Sequence, residues 1–136
     1  MCIKGILFAV LKYFPFLFLI ISSPKPIIMS QKILITRYNY NLSEQEFRTL
    51  LSTVAGEFAK VPGCQWKIWL IDEEKKEGGA VYLFDNEKAL EEFKASPLVQ
   101  SVLSHPALSN FNFRETDIIN GPSIITNAPI MQGVAA

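Results

Sequence analysis

The sequence of 136 residues contains a single histidine, His105, and only two cysteines, Cys2 and Cys64, which lie far apart. One histidine without a carboxylate–histidine cluster cannot build a zinc site, and the two cysteines match no metal or redox spacing. The glycine patterns of nucleotide-binding loops and the nucleophile elbow of hydrolases are also absent. We therefore expect no metal and no bound cofactor, and we assign no role to Cys64.

The chain also has no excess charge of either sign, because thirteen basic residues balance thirteen acidic ones. Nucleic-acid binding usually depends on a basic face, and binding to anionic lipid depends on a polybasic patch. We therefore expect no nucleic acid as a partner and, if translation starts at Met29 and leaves out the apolar residues before it, no stable membrane partner. Aromatic residues, in contrast, make up 12% of the chain and include ten phenylalanines, which is enough for an apolar pocket or interface.

A long uninterrupted apolar run is missing as well. Residues 1–28 are mostly apolar but include three lysines, and their longest uninterrupted stretch, residues 13–21, has nine residues, whereas a membrane-spanning helix needs about 20. Three interpretations stay open: translation starts at Met29, or the segment is a secretory signal, or it is a membrane anchor. The first makes the protein cytoplasmic, and the others make it exported or membrane-anchored. In all three, the folded domain is residues 29–136.

The first half of this domain has the pattern strand, helix, strand. Residues 32–40 are β-branched and aromatic with partial alternation, which favours a strand. Ser43 and Glu46 form a capping box, and apolar residues then recur at helical spacing as far as Lys60. Residues 65–71 alternate, so the second strand is expected to send Trp66 and Trp69 to opposite faces.

The second half repeats the pattern as strand, helix, strand. A charged loop closed by Gly78 and Gly79 leads into a strand over residues 79–84, and Asp85 or Asn86 caps a helix that stops at Ser96. A short helix or turn then ends at His105, and residues 111–119 alternate as a fourth strand. The order βαββαβ predicts an α+β protein of the ferredoxin-like, split βαβ type.

In this fold the helices cover one face of a four-stranded antiparallel sheet. The middle strands carry apolar residues on both faces, so the second face must also be covered. The tail from Asn120 is too rich in glycine and proline to form a core, and it either drapes over the domain or swaps onto a partner. A second copy of the sheet is the simplest cover, which predicts a homodimer with the two sheets face to face.

The hairpin between residues 62 and 84 resembles that of the YdhR-type mono-oxygenase family, a branch of the dimeric α/β-barrel superfamily. The family pattern is Pro-Gly, two residues, Trp-Lys-hydrophobic-Trp, an acidic stretch and Glu-x-Gly-Gly-x-Tyr-Leu-Phe. One position departs from it, because Ala80 replaces the second glycine of the pair. The resemblance extends from about Met29 into the tail and leaves residues 1–28 unmatched. The matching positions are Pro62, Gly63, Trp66, Lys67, Ile68, Trp69, Glu77, Gly79, Tyr82, Leu83 and Phe84.

The resemblance implies oxygenation of an aromatic, polycyclic or quinol-like substrate without metal or flavin, with molecular oxygen as co-substrate. Because the same barrel also hosts proteins that are not enzymes, two alternatives stay open. One is a non-catalytic member of the superfamily that binds a small hydrophobic ligand. The other is a structural or stress-responsive dimer that binds no ligand.

Cofactor-free oxygenation needs an apolar pocket and a few polar groups that hold and deprotonate the substrate. Tyr82, His105 and Lys67 are the candidate catalytic residues. The Tyr82 hydroxyl can bind the substrate or a backbone carbonyl. His105 is the side chain that normally titrates near neutrality, unless it is simply an exposed loop residue. Lys67 acts as a base or anion holder if it is buried, and otherwise extends its amine to solvent at the rim of the sheet.

Four further residues are candidates for substrate binding. Trp66 and Trp69 can stack on an aromatic ring, although either can equally well be part of the core or of a dimer interface. Arg37 and Arg114, on the first and fourth strands, can hold a phenolate. The alternative for both arginines is an ion pair with a nearby glutamate.

Overall fold

The computed structural model describes residues 30–130, so the interpretations of residues 1–28 and of a start at Met29 lie outside the described part. The ferredoxin-like α+β fold is confirmed, with four strands and four helices within residues 30–130. Across that range, none of the helices has the length and apolar character needed to cross a membrane. The elements are β1 (Lys32–Tyr40), α1 (Glu44–Ala59), β2 (Cys64–Asp72), β3 (Glu77–Phe84), α2 (Glu87–Lys94), α3 (Pro97–Leu103), β4 (Leu108–Asp117) and α4 (Asn120–Ile125).

The four strands form one antiparallel sheet in the order β2-β3-β1-β4. The register places Lys67 of β2 beside Tyr82 of β3, and Tyr82 beside Leu34 of β1. Because side chains alternate along a strand, this whole row points to one face of the sheet. That face carries the buried core, which α1, α2 and α3 cover.

Helix α1 begins as the sequence predicts. Ser43 accepts a hydrogen bond from the Glu46 backbone, and the Glu46 side chain accepts one from the Ser43 backbone, which completes the capping box. The helix buries Phe47 near its start and Phe58 near its end. Phe47 stacks on Tyr40, with ring centroids 3.8 Å apart. These two phenylalanines fix the helix against the sheet at both ends of the core.

The hairpin between β2 and β3 is shorter than the sequence suggests. Gly78 and Gly79 lie inside β3 rather than in the loop, because β3 pairs with β1 from Glu77 onward. A Cβ atom on Gly78 would lie 2.7 Å from a Phe47 ring carbon, and one on Gly79 would lie 2.3 Å from the backbone oxygen of Thr36. The glycines therefore allow close packing within the sheet, in addition to any role at the turn.

The fourth strand and the tail also differ from the sequence-based expectation. Strand β4 begins at Leu108 rather than at residue 111, and the tail contains the short helix α4. The Trp66 indole nitrogen donates a 2.8 Å hydrogen bond to the Pro129 carbonyl. The tail thus drapes onto the sheet at Trp66, so the face opposite the helices has a partial cover within the chain.

Gly79→Ala should destabilise the domain by about 1–3 kcal/mol, because the added methyl group would collide with backbone that cannot move alone. Gly56→Ala is the matched control. Gly56 lies in α1 with no atom within 4 Å of an added Cβ, so alanine there should stabilise the helix by up to about 1 kcal/mol. Urea denaturation of both variants measures the difference. Equal stabilities for the two variants would contradict the close approach at Gly79.

Candidate functional site

A cavity of about 170 Å³ lies between the helices and the sheet. Its walls come from α1, α3, the segment after α3 and all four strands of the sheet. The lining is mostly aliphatic and aromatic, with a few polar groups among it. Those groups include the side chains of Lys67, Tyr82 and His105, the three candidate catalytic residues, together with Tyr38 and Ser101. The fold therefore brings together residues from β2, β3 and the segment before β4.

The Lys67 amine is enclosed by aromatic rings. Its Nζ atom lies 3.2 Å from the ring centroid of Trp69 and 3.3 Å from that of Phe58. A third ring, that of Tyr82, has its centroid 4.7 Å away. Lys67 and Trp69 share the helix-covered face because they are two positions apart on β2, while Phe58 reaches the amine from the end of α1. Aromatic rings surround this amine, whereas water surrounds the amine of a lysine at the surface.

Burial lowers the pKa of Lys67 from 10.5 to about 6, and the nearby Cys64 opposes part of this shift. The physical cause is that an ammonium ion loses its hydration among apolar groups. The ring faces attract an ammonium ion and so also work against the loss of the proton. At neutral pH the Lys67 amine can therefore accept a proton, which an ordinary lysine cannot do.

Two buried tyrosines, Tyr38 and Tyr82, line the same cavity as this amine. Burial raises the pKa of Tyr38 to about 12. Burial likewise raises the pKa of Tyr82 far above its ordinary value, and Thr36 on the neighbouring strand offsets a small part of that rise. Both phenols are consequently neutral at physiological pH. A neutral phenol is a hydrogen-bond donor, so Tyr82 can donate to an oxygen atom in the cavity.

His105 completes the polar part of the lining. Its Nδ1 atom accepts a 3.2 Å hydrogen bond from the backbone nitrogen of Ala107. This bond leaves the proton of the neutral ring on Nε2, which is then available as a donor. The same interaction holds the ring against the turn that follows α3, so the orientation of His105 depends on local backbone and not on a carboxylate.

A second, smaller cavity of about 40 Å³ adjoins the first. Tyr38, Tyr82 and Phe58 line both cavities. The smaller one continues along the sheet past Thr36 toward Phe113 of β4. These shared side chains therefore form part of the boundary between the two spaces.

The four candidate substrate-binding residues are divided between the two faces of the sheet. Trp69 lines the larger cavity, but Trp66 lies on the opposite face, where it bonds to the tail. Arg37 and Arg114 also lie on that opposite face, since they alternate with cavity-side positions along β1 and β4. Arg37 makes an ion pair with Glu77 at 3.5 Å. The suggested role of these three residues in substrate binding gains no support from their positions.

Two residues of the site were missing from the sequence-based candidates. Tyr38 follows Leu34 and Thr36 at alternate positions of β1, and this alternation could have assigned it to the covered face. Phe58 was recognised as part of the apolar stripe of α1, but nothing in the sequence indicates that its ring lies on the Lys67 amine. That contact depends on how the end of α1 packs on β2.

Most of the chain matches one known family. The family model described as "Putative mono-oxygenase ydhR" matches residues 33–129. The chain belongs to the ydhR mono-oxygenase family. This family match confirms the resemblance carried by the hairpin. A comparison with curated proteins found no match.

Solved structures share the fold at low sequence identity. SnoaB, a cofactor-independent oxygenase from Streptomyces nogalater, is 16% identical with a TM-score of 0.55, covering 65% of this chain and 93% of its own. A "putative antibiotic biosynthesis monooxygenase" from Deinococcus radiodurans is 17% identical with a TM-score of 0.54, and the match covers 64% of this chain and 91% of that protein. NE2512 from Nitrosomonas europaea, a protein of unknown function, is 15% identical with a TM-score of 0.58, and the shares are 67% and 91%.

The ydhR-family chain has no group of three or more histidine, cysteine, aspartate or glutamate side chains that could hold a metal ion within residues 30–130. The polar groups of the site are an amine, two phenols, an imidazole and the hydroxyl of Ser101. This set can donate protons and accept them near neutral pH, and it can hold an oxygen atom by hydrogen bonds.

Lys67→Met should stabilise the folded protein at pH 7 by about 1 kcal/mol, because a buried amine with an unfavourable charged form is replaced by an apolar chain of similar length. This corresponds to a rise in Tm of about 4–8 °C. Between pH 6 and pH 10.5 the unfolded wild type binds more protons at Lys67 than the folded protein does, so stability falls as the pH falls through this range. The substitution should remove the contribution of Lys67 to this dependence of stability on pH.

Denaturation at a series of pH values measures the effect, and Lys88→Met is the matched control. The Lys88 side chain is 86% exposed, so the control should change stability by less than about 0.5 kcal/mol and keep the wild-type slope. Suppose instead that Lys67→Met lowered stability at pH 7 and left the dependence of stability on pH unchanged. The folded protein would then favour the charged form of Lys67. That result would contradict the lowered pKa.

Proposed function

We propose that this ydhR-family protein is a mono-oxygenase that acts on a small aromatic, quinol-like compound with molecular oxygen as co-substrate and without a metal or bound cofactor. The observation that carries the proposal is the Lys67 amine, which is enclosed by three rings in an apolar cavity. Such an amine accepts a proton near neutral pH, and Tyr82 and His105 line the same space.

Oxygenation without a cofactor needs an electron-rich substrate anion. In the proposed step, Lys67 removes a proton from a phenol or an activated CH₂ group, and Tyr82 donates a hydrogen bond to the substrate oxygen. The anion passes an electron to oxygen, and the resulting radical pair combines to a peroxide. Loss of water from the peroxide leaves a carbonyl group, so an activated CH₂ carbon and O₂ give C=O and H₂O. No outside reductant is required.

The size of the site favours a compound with one ring. An apolar cavity of about 150 Å³ accommodates benzene, and the larger cavity here has about 170 Å³. The adjoining 40 Å³ adds room for a substituent rather than for another ring. A quinol-like substrate therefore suits the site better than a polycyclic one.

The alternative is a protein that binds a small hydrophobic ligand without turnover. The aromatic lining supports binding equally well, but a binding module gains nothing from an amine held near its point of deprotonation. Oxygen consumption with quinol-type compounds separates the two functions, provided that it is measured with a metal chelator present. Binding without oxygen consumption would favour the alternative.

Tyr82→Phe should keep Tm within about 2 °C while lowering ligand affinity or oxygen uptake about tenfold, the equivalent of roughly 1.4 kcal/mol. The reason is that the substitution preserves the ring and its packing but removes the hydroxyl that faces the cavity. Calorimetry, ligand titration and an oxygen electrode measure the three quantities.

The matched control for this experiment is Tyr40→Phe. Tyr40 is similarly buried and lines neither cavity itself, although it packs on Phe47, which lines the larger one. Turnover should not change in this control. If Tyr82→Phe altered stability and left binding and turnover at the wild-type level, Tyr82 would be a core residue and the proposed role would be wrong.

We also propose that the protein is a homodimer, joined through the face of the sheet that the helices leave uncovered. Neighbouring strands place Ile68, Val81 and Ile35 in one row across this face. Ile68 is 51% exposed and Leu70 is 43% exposed. The tail contacts this face at Trp66. Burying the remaining apolar surface would contribute about 25 cal/mol per Å² removed from water.

Leu70→Asp should therefore dissociate the dimer at micromolar concentration, because an unpaired carboxylate would be buried against the second sheet. Leu70 suits this test better than Leu83, which is 1% exposed within a single chain and whose replacement would unfold the domain. Thr49→Asp, on the exposed side of α1, is the control and should stay dimeric. Light scattering that finds the wild type monomeric would overturn the proposal.

A further inference from the structure

Lys67 differs from the other lysines of the described range in what surrounds its amine. Within residues 30–130, five lysines make ion pairs with carboxylates: Lys32, Lys60, Lys75, Lys88 and Lys94. A sixth, Lys76, donates to the Leu42 carbonyl. The Lys67 amine has neither kind of partner among the described residues, and it lies on ring faces inside a cavity.

This difference matters for the chemistry of the amine. A carboxylate partner keeps a lysine protonated, and an ammonium ion has no lone pair with which to attack carbon. Desolvation by aromatic and aliphatic groups favours the neutral amine, which is the nucleophilic form. The cavity provides such surroundings at Lys67, and burial lowers its pKa to about 6.

We propose that Lys67 captures small aromatic aldehydes in this cavity as imines, an activity separate from oxygenation. The Nζ atom forms a bond to the carbonyl carbon, and the carbonyl oxygen takes a proton to give a carbinolamine. Loss of that oxygen as water, together with a proton from nitrogen, gives the C=N bond. The step changes no oxidation state and needs no co-reactant, and its reversal by water returns the free aldehyde.

The rest of the cavity supports both stages of this reaction. The neutral Tyr82 hydroxyl and the His105 Nε2–H are donors for the carbonyl oxygen and for the water that leaves. The ring of Trp69 offers a face on which an aromatic aldehyde can stack. The volume of about 170 Å³ admits a single ring with a carbonyl group.

The experiment treats the full-length wild-type protein with benzaldehyde and sodium cyanoborohydride at pH 7 in the absence of oxygen. The reducing agent converts an imine into a stable benzylamine, which peptide mapping locates. We expect Lys67 to be modified about tenfold or more faster than Lys60 and Lys88, because each of those exposed amines makes an ion pair with a carboxylate. Benzyl alcohol, which has the ring and nearly the size of benzaldehyde but no carbonyl group, should protect Lys67 and leave Lys60 and Lys88 unprotected.

Two results would overturn the proposal. One is labelling that follows exposure, with Lys60 and Lys88 modified as fast as Lys67 or faster. The other is labelling of Lys67 that excess benzyl alcohol does not reduce, since the aldehyde would then react outside the cavity. Because the sample contains no oxygen, imine formation can succeed where mono-oxygenation fails, or fail where it succeeds. The comparison among lysines of one wild-type chain does not depend on whether a Lys67 variant folds.

Discussion

The placement of one amine among aromatic rings is the constraint on which the rest of the site depends. Lys67 and Trp69 lie on the same face because they are two positions apart on β2, and antiparallel pairing places Tyr82 beside Lys67. Helix α1 then closes over them with Phe58. Loss of hydration disfavours the ammonium form, while the ring faces favour it. The amine is thereby held close to the balance between its two protonation states, which a general base at neutral pH requires.

The sheet can hold this arrangement because two glycines let neighbouring groups pack closely against β3. Gly78 lets the rings of Phe47 and Tyr38 approach β3 closely, and Gly79 accepts the close backbone of Thr36 on β1. Tyr38 in turn lines the cavity next to Tyr82. Bulkier residues at the two glycines would move β3, which carries Tyr82, away from β1, which carries Tyr38. The glycine pair at the start of β3 thus serves the packing around the cavity.

Much of this fold follows from local patterns in the sequence. The capping box at Ser43, the alternation of β1 and β2 and the order of elements were sufficient for the ferredoxin-like class. These patterns were not sufficient to show which face of the sheet holds the cavity, because both faces of β2 carry a tryptophan. Only the packing of α1 and the contact of the tail with Trp66 distinguish them. The proximity of His105 to Lys67 depends on how α3 turns back over the sheet, and no pattern within either segment encodes such a long-range contact.

An amine at position 67 also argues against a purely structural role for the cavity. A methionine or leucine would fill the space between Phe58 and Trp69 without the desolvation cost of a titratable group. Elsewhere in the described range the lysines have polar partners, so this sequence readily supplies carboxylates or carbonyls where it needs to hold an ammonium ion. At Lys67 it supplies rings and a cavity of about 170 Å³ instead. A group that lowers stability in this way is best explained by a ligand that reacts with it or exchanges a proton with it.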